Sequence, residues 1–342
     1  MLSHTLLVLA SRPLEWVNAA ARAAYAHRLV TVHHAEVPVI SVGNIALGGT
    51  GKTPLVAALV RTLRAAGARP AILTRGYRRT QSAPRLVWDE PRVPWHEIGD
   101  EPALLARAVP EVPIVVDANR VRGAARAVAE AHASHLVLDD GFQHWRLARQ
   151  VDLVATPMND PLCRHRPRRE HPRALGRAST IVLTGAHPEG VESARVALQR
   201  VAPAVPVFAS TVQPRGVHHQ GVCHPPAWLA GRRVLAAAGI ANPHRFFTLL
   251  ATLGAQLVTT VPLPDHHVLS RQQTRELLQR ARARQAVVIL TAKDEVKLPA
   301  EVAAEVAWLE IEAVPLHGSW IDLFGGTRLA PPAAVQSRHA GP

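Results

Sequence analysis

The feature that most constrains this chain is a regular alternation of short β-branched runs with stretches rich in Ala, Leu and Arg. The runs contain few polar residues, so they predict strands that are buried on both faces. Strands of this kind, separated by helices, form the parallel sheets of α/β proteins. The first series of predicted strands covers residues 37–42, 71–74, 114–116, 136–138, 153–155, 181–184 and 205–208.

A second alternation begins after residues 212–232, a stretch of Gln, Pro, Gly and His that predicts a linker. A chain of 342 residues is long enough for two domains. The strands predicted for the second unit cover residues 234–238, 257–261, 287–290 and 307–310, and its helices cover residues 243–253 and 270–284. The predicted organisation is an N-terminal helix at 1–30, a parallel-sheet domain with helices on both faces at 31–211, the linker, and a second, smaller α/β domain at 233–330.

A glycine-rich loop joins the first predicted strand to a helix, in the order that a P-loop requires. Its glycines let backbone N–H groups surround a phosphate at the helix N-terminus, while Lys52 adds a positive charge and the Thr53 hydroxyl can bind Mg²⁺. Ala46 stands where the first glycine of the pattern belongs. The first domain is therefore predicted to be P-loop NTPase-like, with ATP and Mg²⁺ as ligands. The predicted nucleotide-binding residues are Gly48, Gly49, Thr50, Gly51, Lys52 and Thr53.

Two pairs of acidic residues stand where α/β sheets bind ligands. Asp139 and Asp140 follow a buried strand, as a Walker B carboxylate that holds Mg²⁺ does, although a capped turn also places Asp there. Asp100 and Glu101 open a helix, where either residue could accept the proton of an acceptor hydroxyl or simply cap the helix. The sequence favours the metal role for the first pair and leaves the second pair open.

Polar residues also follow the strands of the second unit. Asp265 and His266 could form a metal ligand set, a charge relay or a hydrogen-bonded turn, and the residues alone favour the structural turn. Lys293 follows a strand too, and it could meet a nucleotide phosphate or a nearby carboxylate. Cys163 and Cys223 are 60 positions apart and outside any Cys-x-x-Cys pair, so neither a disulfide framework nor a thiolate zinc site is predicted.

The formal net charge of +13 favours an anionic partner, either nucleic acid, a phosphorylated substrate or an acidic membrane surface. Aromatic residues make up 4% and do not alternate with basic ones, which disfavours nucleic acid. Residues 4–28 predict one kinked amphipathic element, with Leu14, Val17 and Tyr25 on its apolar face. That face either lies in a membrane interface or packs on the protein, and its five-residue apolar run is too short to span a bilayer.

Seven motifs together resemble the tetraacyldisaccharide 4'-kinase family of lipid A biosynthesis, in order and across most of the chain. The resemblance implies transfer of the ATP γ-phosphate to the 4'-hydroxyl of an acylated glucosamine disaccharide 1-phosphate. It also implies peripheral contact with the cytoplasmic face of the inner membrane, with no nucleic acid and no obligate protein partner. The motifs are GNIALGGTGKTP, LTRGY, GDEPALLA, LDDGFQHWRL, AAGIANPHRF, LPDHH and TAKDEVKL.

Site residues follow from the resemblance position by position. Asp100 matches the proposed catalytic base, His266 the histidine that supports it, and Lys52 the phosphate-binding lysine. The positions implied around Mg²⁺ are Thr53, Glu101, Asp139 and Asp140. The positions implied for substrate binding are Asp140, Gln143, His144, Arg169 and Glu170.

Two other functions remain open at the level of sequence. A P-loop kinase of a soluble sugar or nucleoside would share the loop without needing residues 4–28. A nucleotide-dependent switch ATPase is less favoured, because such proteins carry lysine before the paired glycines, where this chain has Leu47. The five arginines of residues 164–173 predict either an anion-binding segment or a solvated basic loop.

Overall fold

The computed structural model describes residues 11–77, 79–90 and 92–324. Within these residues, 13 strands form one sheet. The strands are β1 (Val39–Gly43), β2 (Pro70–Thr74), β3 (Arg85–Val87), β4 (Ile114–Val116), β5 (His135–Asp139), β6 (Val151–Pro157), β7 (Thr180–Thr184), β8 (Val207–His219), β9 (Val222–His224), β10 (Arg233–Ala238), β11 (Gln256–Pro262), β12 (Val287–Thr291) and β13 (Ala307–Pro315). Their order in the sheet is β11-β10-β12-β13-β8-β7-β6-β1-β5-β2-β4-β3, with β9 paired to β8.

Neighbouring strands are parallel except at three pairs, which are β3 with β4, β8 with β9, and β8 with β13. The parallel strands are joined by helices, as the alternation predicts. The helices are α1 (Arg12–Ala26), α2 (Lys52–Ala65), α3 (Trp95–Ile98), α4 (Asp100–Ala108), α5 (Arg120–Ala131), α6 (Val191–Gln199), α7 (Pro243–Thr252), α8 (Arg271–Arg282), α9 (Ala292–Glu295) and α10 (Ala300–Ala303).

The strand β1 lies near the centre of the sheet, between β5 and β6, and all five of its residues are buried. Ile40 packs with Leu55 and Leu59 of α2 on one face of the sheet. Val39 packs with Ala124 of α5 on the other face. Because each large apolar side chain gains about 1.5–3 kcal/mol on burial, these two layers fix the strand and with it the loop that follows.

Residues 212–232, which the sequence predicts as a linker, contain regular structure. The strand β8 pairs with β7 through residues 207–209 and continues alongside β13 as far as His218. The register shifts between Gly216 and Pro214, so the proline sits at an irregularity of the ladder. Proline is tolerated in a strand at such a bulge because the missing N–H then removes no ladder hydrogen bond. The segment does join the two halves of the chain, but it does so as a strand.

The helix α1 covers the described part of the amphipathic element that the sequence predicts at residues 4–28. None of its residues is buried, and Trp16 is 76% exposed. Residues 4–10 of that element, and the tail after residue 329, lie outside the described residues. In the described part of the chain, no helix combines the length and the apolar character needed to cross a bilayer.

Candidate active site

The loop between β1 and α2 is braced from both sides. Asn44 Nδ2 donates a hydrogen bond to Thr50 Oγ1 over 2.9 Å, and Thr184 Oγ1 donates to the Thr50 carbonyl over 2.8 Å. Gly51 has a φ of 77°, and a Cβ there would lie 3.0 Å from Thr184, so glycine is required at this position. The loop therefore presents fixed backbone groups at the N-terminus of α2, which is the arrangement that binds phosphates.

Ala46 is accommodated because the loop does not need a glycine at that point. Its φ is not positive, and its backbone forms an antiparallel bridge with Arg168. Next to it, the Leu47 N–H donates to the Pro167 carbonyl over 2.8 Å. The position at which alanine replaces the usual glycine is thus the position at which the loop bonds to the neighbouring arginine-rich segment.

The carboxylate of Asp140 lies between two cations. Lys52 Nζ is 3.4 Å from one of its oxygens, and Arg169 NH1 donates to the other over 2.5 Å. Burial alone would raise the pKa of Asp140, but the charges of Lys52 and Arg169 outweigh it and lower the pKa below its usual value. Asp140 therefore remains ionised and links the phosphate loop to the segment that carries Arg169.

Asp139 has the opposite electrostatic environment. It is 1% exposed, and burial, together with the charges of Glu101 and Asp140, raises its pKa from 3.8 to about 7. Thr74 donates to Oδ2 over 3.2 Å, whereas Oδ1 is buried without a hydrogen-bond partner among the described residues. A buried carboxylate oxygen beside two other acidic groups is a favourable position for a cation.

Asp100 and His266 meet across the two halves of the chain, although 166 positions separate them. Asp100 begins α4 and is 4% exposed, its Oδ1 accepts the Glu101 N–H over 3.0 Å, and its Oδ2 lies 2.6 Å from His266 Nδ1. Lys293 Nζ lies 3.3 Å from His266 Nε2. Gly99 precedes Asp100 with a φ of 100°, and a Cβ there would lie 2.6 Å from the Tyr77 carbonyl oxygen.

Of the other predicted substrate-binding residues, Gln143 and Glu170 belong to one hydrogen-bonded network and His144 lies outside it. Gln143 donates to Glu170 over 2.8 Å, and Arg177 pairs with the same carboxylate at 2.9 Å. His144 is separate from this network: burial, then the charges of Arg120 and neighbouring arginines, lowers its pKa to about 4. His144 is thus neutral at pH 7, with a buried Nε2 that has no partner among the described residues.

The arginine-rich segment contacts the phosphate loop and α1. Arg166 NH1 donates to the Gly49 carbonyl over 3.3 Å, Arg168 pairs with Glu15 at 2.8 Å, and Asn18 donates to the Arg169 carbonyl over 2.8 Å. The segment therefore links the phosphate loop to α1 at these arginines, and its role as an anion-binding segment stays a prediction. Arg164 and Arg173 remain exposed.

Arg120 belongs to the same region, yet sequence reasoning missed it. It is 5% exposed, and burial lowers its pKa to about 10 against the opposing charges of Asp139 and Asp140. Its NH1 donates to the Asp117 carbonyl over 2.9 Å. The signal that could have found it is the stretch Asp117–Arg120, which follows β4 as Asp140 follows β5.

Comparisons with known proteins give one consistent family. The family model for tetraacyldisaccharide-1-P 4'-kinase matches residues 3–322. Tetraacyldisaccharide 4'-kinase of Paramagnetospirillum magneticum is 41% identical over 282 residues, covering 80% of this chain and 81% of the relative, and that of Anaeromyxobacter dehalogenans strain 2CP-C is 37% identical over 313 residues, covering 87% and 82%. The crystal structure of LpxK from Aquifex aeolicus in complex with ATP superimposes with a TM-score of 0.76 at 27% identity, covering 96% of this chain and all of the other.

Proposed function

The chain belongs to the family of tetraacyldisaccharide-1-P 4'-kinases, and from this premise we propose how its own residues carry out the reaction. It is an ATP-dependent kinase of lipid A biosynthesis that phosphorylates the 4'-hydroxyl of tetraacyldisaccharide 1-phosphate. The predicted P-loop, α/β fold and activity are thereby confirmed. The individual site residues, Mg²⁺ and the membrane contact are the subject of the proposal.

Asp100 acts as the base in this proposal. One of its oxygens accepts the proton of the 4'-hydroxyl while that hydroxyl oxygen bonds to the γ-phosphorus and the bond to the β,γ-bridging oxygen breaks, releasing ADP. His266 holds the Asp100 carboxylate in place through the 2.6 Å contact to Oδ2. The single observation that carries the proposal is this contact, because it brings a buried carboxylate from one half of the chain against a histidine from the other.

Lys52 and the backbone of residues 48–53 bind the phosphates of ATP. Lys52 is 11% exposed and lies 3.4 Å from Asp140, so its charge is already oriented before nucleotide binds. Charge on the transferring phosphoryl group is stabilised best by groups that need no rearrangement. Arg169 and Gln143, which contact Asp140 and Glu170, then orient the acceptor beside the phosphate loop.

Mg²⁺ fits the acidic group around Asp139. The buried, unpartnered Oδ1 of Asp139 and the acidic neighbours that raise its pKa both favour a cation there. Asp139 and the Thr53 hydroxyl would hold the ion, with Glu101 or Asp140 nearby. The described residues contain no group of three His, Cys, Asp or Glu side chains that could bind a metal alone, and Mg²⁺ commonly completes its coordination with phosphates and water. When bound, it neutralises phosphate charge.

The helix α1 contacts the membrane in this proposal, at the cytoplasmic face of the inner membrane. Trp16 and Val17 are 76% and 64% exposed, and Leu29 beyond the helix is 78% exposed. The positive net charge of the chain favours binding to anionic headgroups. Replacing Trp16 and Val17 together with Ser should weaken binding to vesicles of phosphatidylethanolamine and phosphatidylglycerol. Val196→Ser, at an exposed position of α6, is the control, and equal binding by both variants would contradict the proposal.

The site assignment is tested by transfer of labelled γ-phosphate from ATP to the purified disaccharide 1-phosphate. Asp100→Asn should lower kcat by about 100-fold or more with little change in the KM for ATP. Asp139→Asn should instead raise the Mg²⁺ concentration needed for half-maximal rate. If Asp100→Asn shifts the Mg²⁺ dependence and leaves kcat at saturating Mg²⁺ unchanged, then Asp100 is a metal ligand and the base must be sought elsewhere.

A further inference from the structure

A buried ion pair joins Asp294 of α9 to Lys297, just after the end of that helix. Asp294 and Lys297 are each 3% exposed, and Lys297 Nζ lies 3.2 Å from Asp294 Oδ1. Removing two charges from water is unfavourable unless further hydrogen bonds satisfy both groups. The groups that hydrogen-bond to Asp294 and to Lys297 therefore indicate the function of this ion pair.

Asp294 binds the end of β10. Its Oδ2 accepts the Gly239 N–H over 3.0 Å and the Thr291 hydroxyl over 2.6 Å. The Gly239 carbonyl in turn accepts the His266 N–H over 3.2 Å. A Cβ on Gly239 would lie 2.8 Å from Asp294 Oδ1. Asp294 is thus connected through Gly239 to the His266 N–H by two hydrogen bonds.

Lys297 binds the other side of the same loop. Its Nζ donates to the His267 carbonyl over 2.6 Å, and the His267 N–H donates to the Pro264 carbonyl over 3.0 Å. His266 between them has a φ of 62°, a left-handed conformation that costs energy for a residue with a side chain. The peptide groups on both sides of His266 are held by hydrogen bonds of the His266 and His267 N–H groups, and such surrounding bonds maintain a conformation of this kind.

We propose that Asp294 and Lys297 are positioning residues of the kinase reaction, which hold His266 in its left-handed conformation so that Nδ1 faces Asp100. Neither side chain touches a reacting atom, and both act through the backbone on either side of His266. The inference rests on the proposed role of His266. Asp294 and Lys297 would then form a third group of residues that determines the rate of phosphoryl transfer, besides the phosphate loop and the acidic residues.

The test is a set of variants measured for kcat, for KM of ATP and for thermal unfolding. Lys297→Met removes the donor to His267 while keeping side-chain length, and it should lower kcat by about tenfold to a hundredfold, the effect of a small displacement of a reacting geometry, with KM for ATP unchanged. Because a lone buried Asp294 destabilises the protein, the double variant Asp294→Asn with Lys297→Met is made in parallel. Leu277→Ala, in the buried face of α8, reports the effect of lost stability alone.

The same substitutions are then made in a His266→Ala background. If the pair acts through His266, Lys297→Met should change kcat there by less than about twofold, since interacting residues are not additive. An equal fold loss in both backgrounds, or a loss matched by Leu277→Ala, would overturn the positioning role while leaving the role of His266 intact. A wild-type kcat for His266→Ala would instead overturn the proposed function of His266, and the positioning role with it.

Discussion

Lys293 lies beside Nε2 of His266 and favours one tautomer of the ring, as Asp100 does at Nδ1. An ammonium group only donates hydrogen bonds, so the 3.3 Å contact makes Nε2 the acceptor and leaves the proton on Nδ1, which faces Asp100. Lys293→Met should lower kcat by about tenfold, because the ring can then present an unprotonated Nδ1 to the carboxylate. Lys293→Arg retains a donor and is the control. Equal rates for the two variants would show that the tautomer does not matter.

Asp139 makes the stability of the metal-free protein depend on pH. Its pKa rises from 3.8 to about 7 on folding, so between these values the folded chain holds a proton that the unfolded chain has lost. Stability therefore decreases as pH rises through this window. In urea unfolding with EDTA, Asp139→Asn should be more stable than wild type at pH 8.5, by up to about 4 kcal/mol at 1.36 kcal/mol per pKa unit, and nearly equal to it at low pH.

The neighbouring carboxylate provides a control of opposite sign. The pKa of Asp140 is lowered on folding, against the effect of burial, by Lys52 and Arg169, so its contribution to stability is present at neutral pH and lost in acid. Asp140→Asn should therefore destabilise the protein at pH 8.5. If both Asn variants shifted stability in the same direction at that pH, the contrasting environments of the two residues would be disproved.

Individual site residues could be foreseen where they follow a strand or belong to a recognisable motif. Asp139 follows a buried strand, and Lys52 follows a glycine-rich loop, so both stand out in the sequence alone. Arg120 does not, because an arginine at the start of a helix usually points to solvent. Its burial beside Asp139 and Asp140 depends on tertiary packing, so the local pattern marks the position of Arg120 but not its contacts.

At the scale of elements, α1 is connected to the phosphate loop through the arginine-rich segment. Asn18 binds the Arg169 carbonyl, Arg169 binds Asp140, and Asp140 binds Lys52. Asn18→Ala should raise the KM for the acceptor by about twofold to tenfold, as expected for one lost hydrogen bond, and change the KM for ATP less. Arg22→Ala, at an exposed position of the same helix, is the control. Identical kinetics for the two variants would show that this connection carries no function.

The sequence predicts only the first residues of β8 and does not predict the short strands β3 and β9. Most strands lie within two residues of their predicted bounds because an uninterrupted β-branched run marks them. In β8 that run ends near residue 208 and is followed by a proline and polar residues. Pairing with β13, about a hundred positions later, makes the segment a strand despite its composition, and tertiary context of this kind overrides local propensity.

At the scale of the whole molecule, the continuity of the sheet predicts cooperative unfolding. The strand β8 pairs with strands of both halves, and Arg107 of α4 pairs with the buried Glu295 of α9 at 2.8 Å. Chemical denaturation of the wild type should therefore give one transition by tryptophan fluorescence and by circular dichroism. Val212→Pro interrupts the ladder opposite Ala313, and it should separate the transition into two.

Val212→Thr keeps a β-branched side chain and should unfold like the wild type. Two transitions in the wild type would instead support the independent domains that the sequence suggests at 31–211 and 233–330. That division stays a prediction, since a single sheet can still consist of two units that unfold separately. The pairing of Asp100 with His266 needs both halves in place under either outcome.

The pairing of β8 with β13 also has a consequence for synthesis on the ribosome. Residues 210–216 emerge long before residues 310–315, to which they later hydrogen-bond. Throughout that interval the edge of β8 that β13 later covers stays open, because Val217 and His218 pair with β9 on their opposite edge. Open edges invite pairing with other chains. A polypeptide that ends before residue 307 lacks β13, so this edge of β8 would stay uncovered. We expect such a polypeptide to aggregate or to be degraded rather than to accumulate.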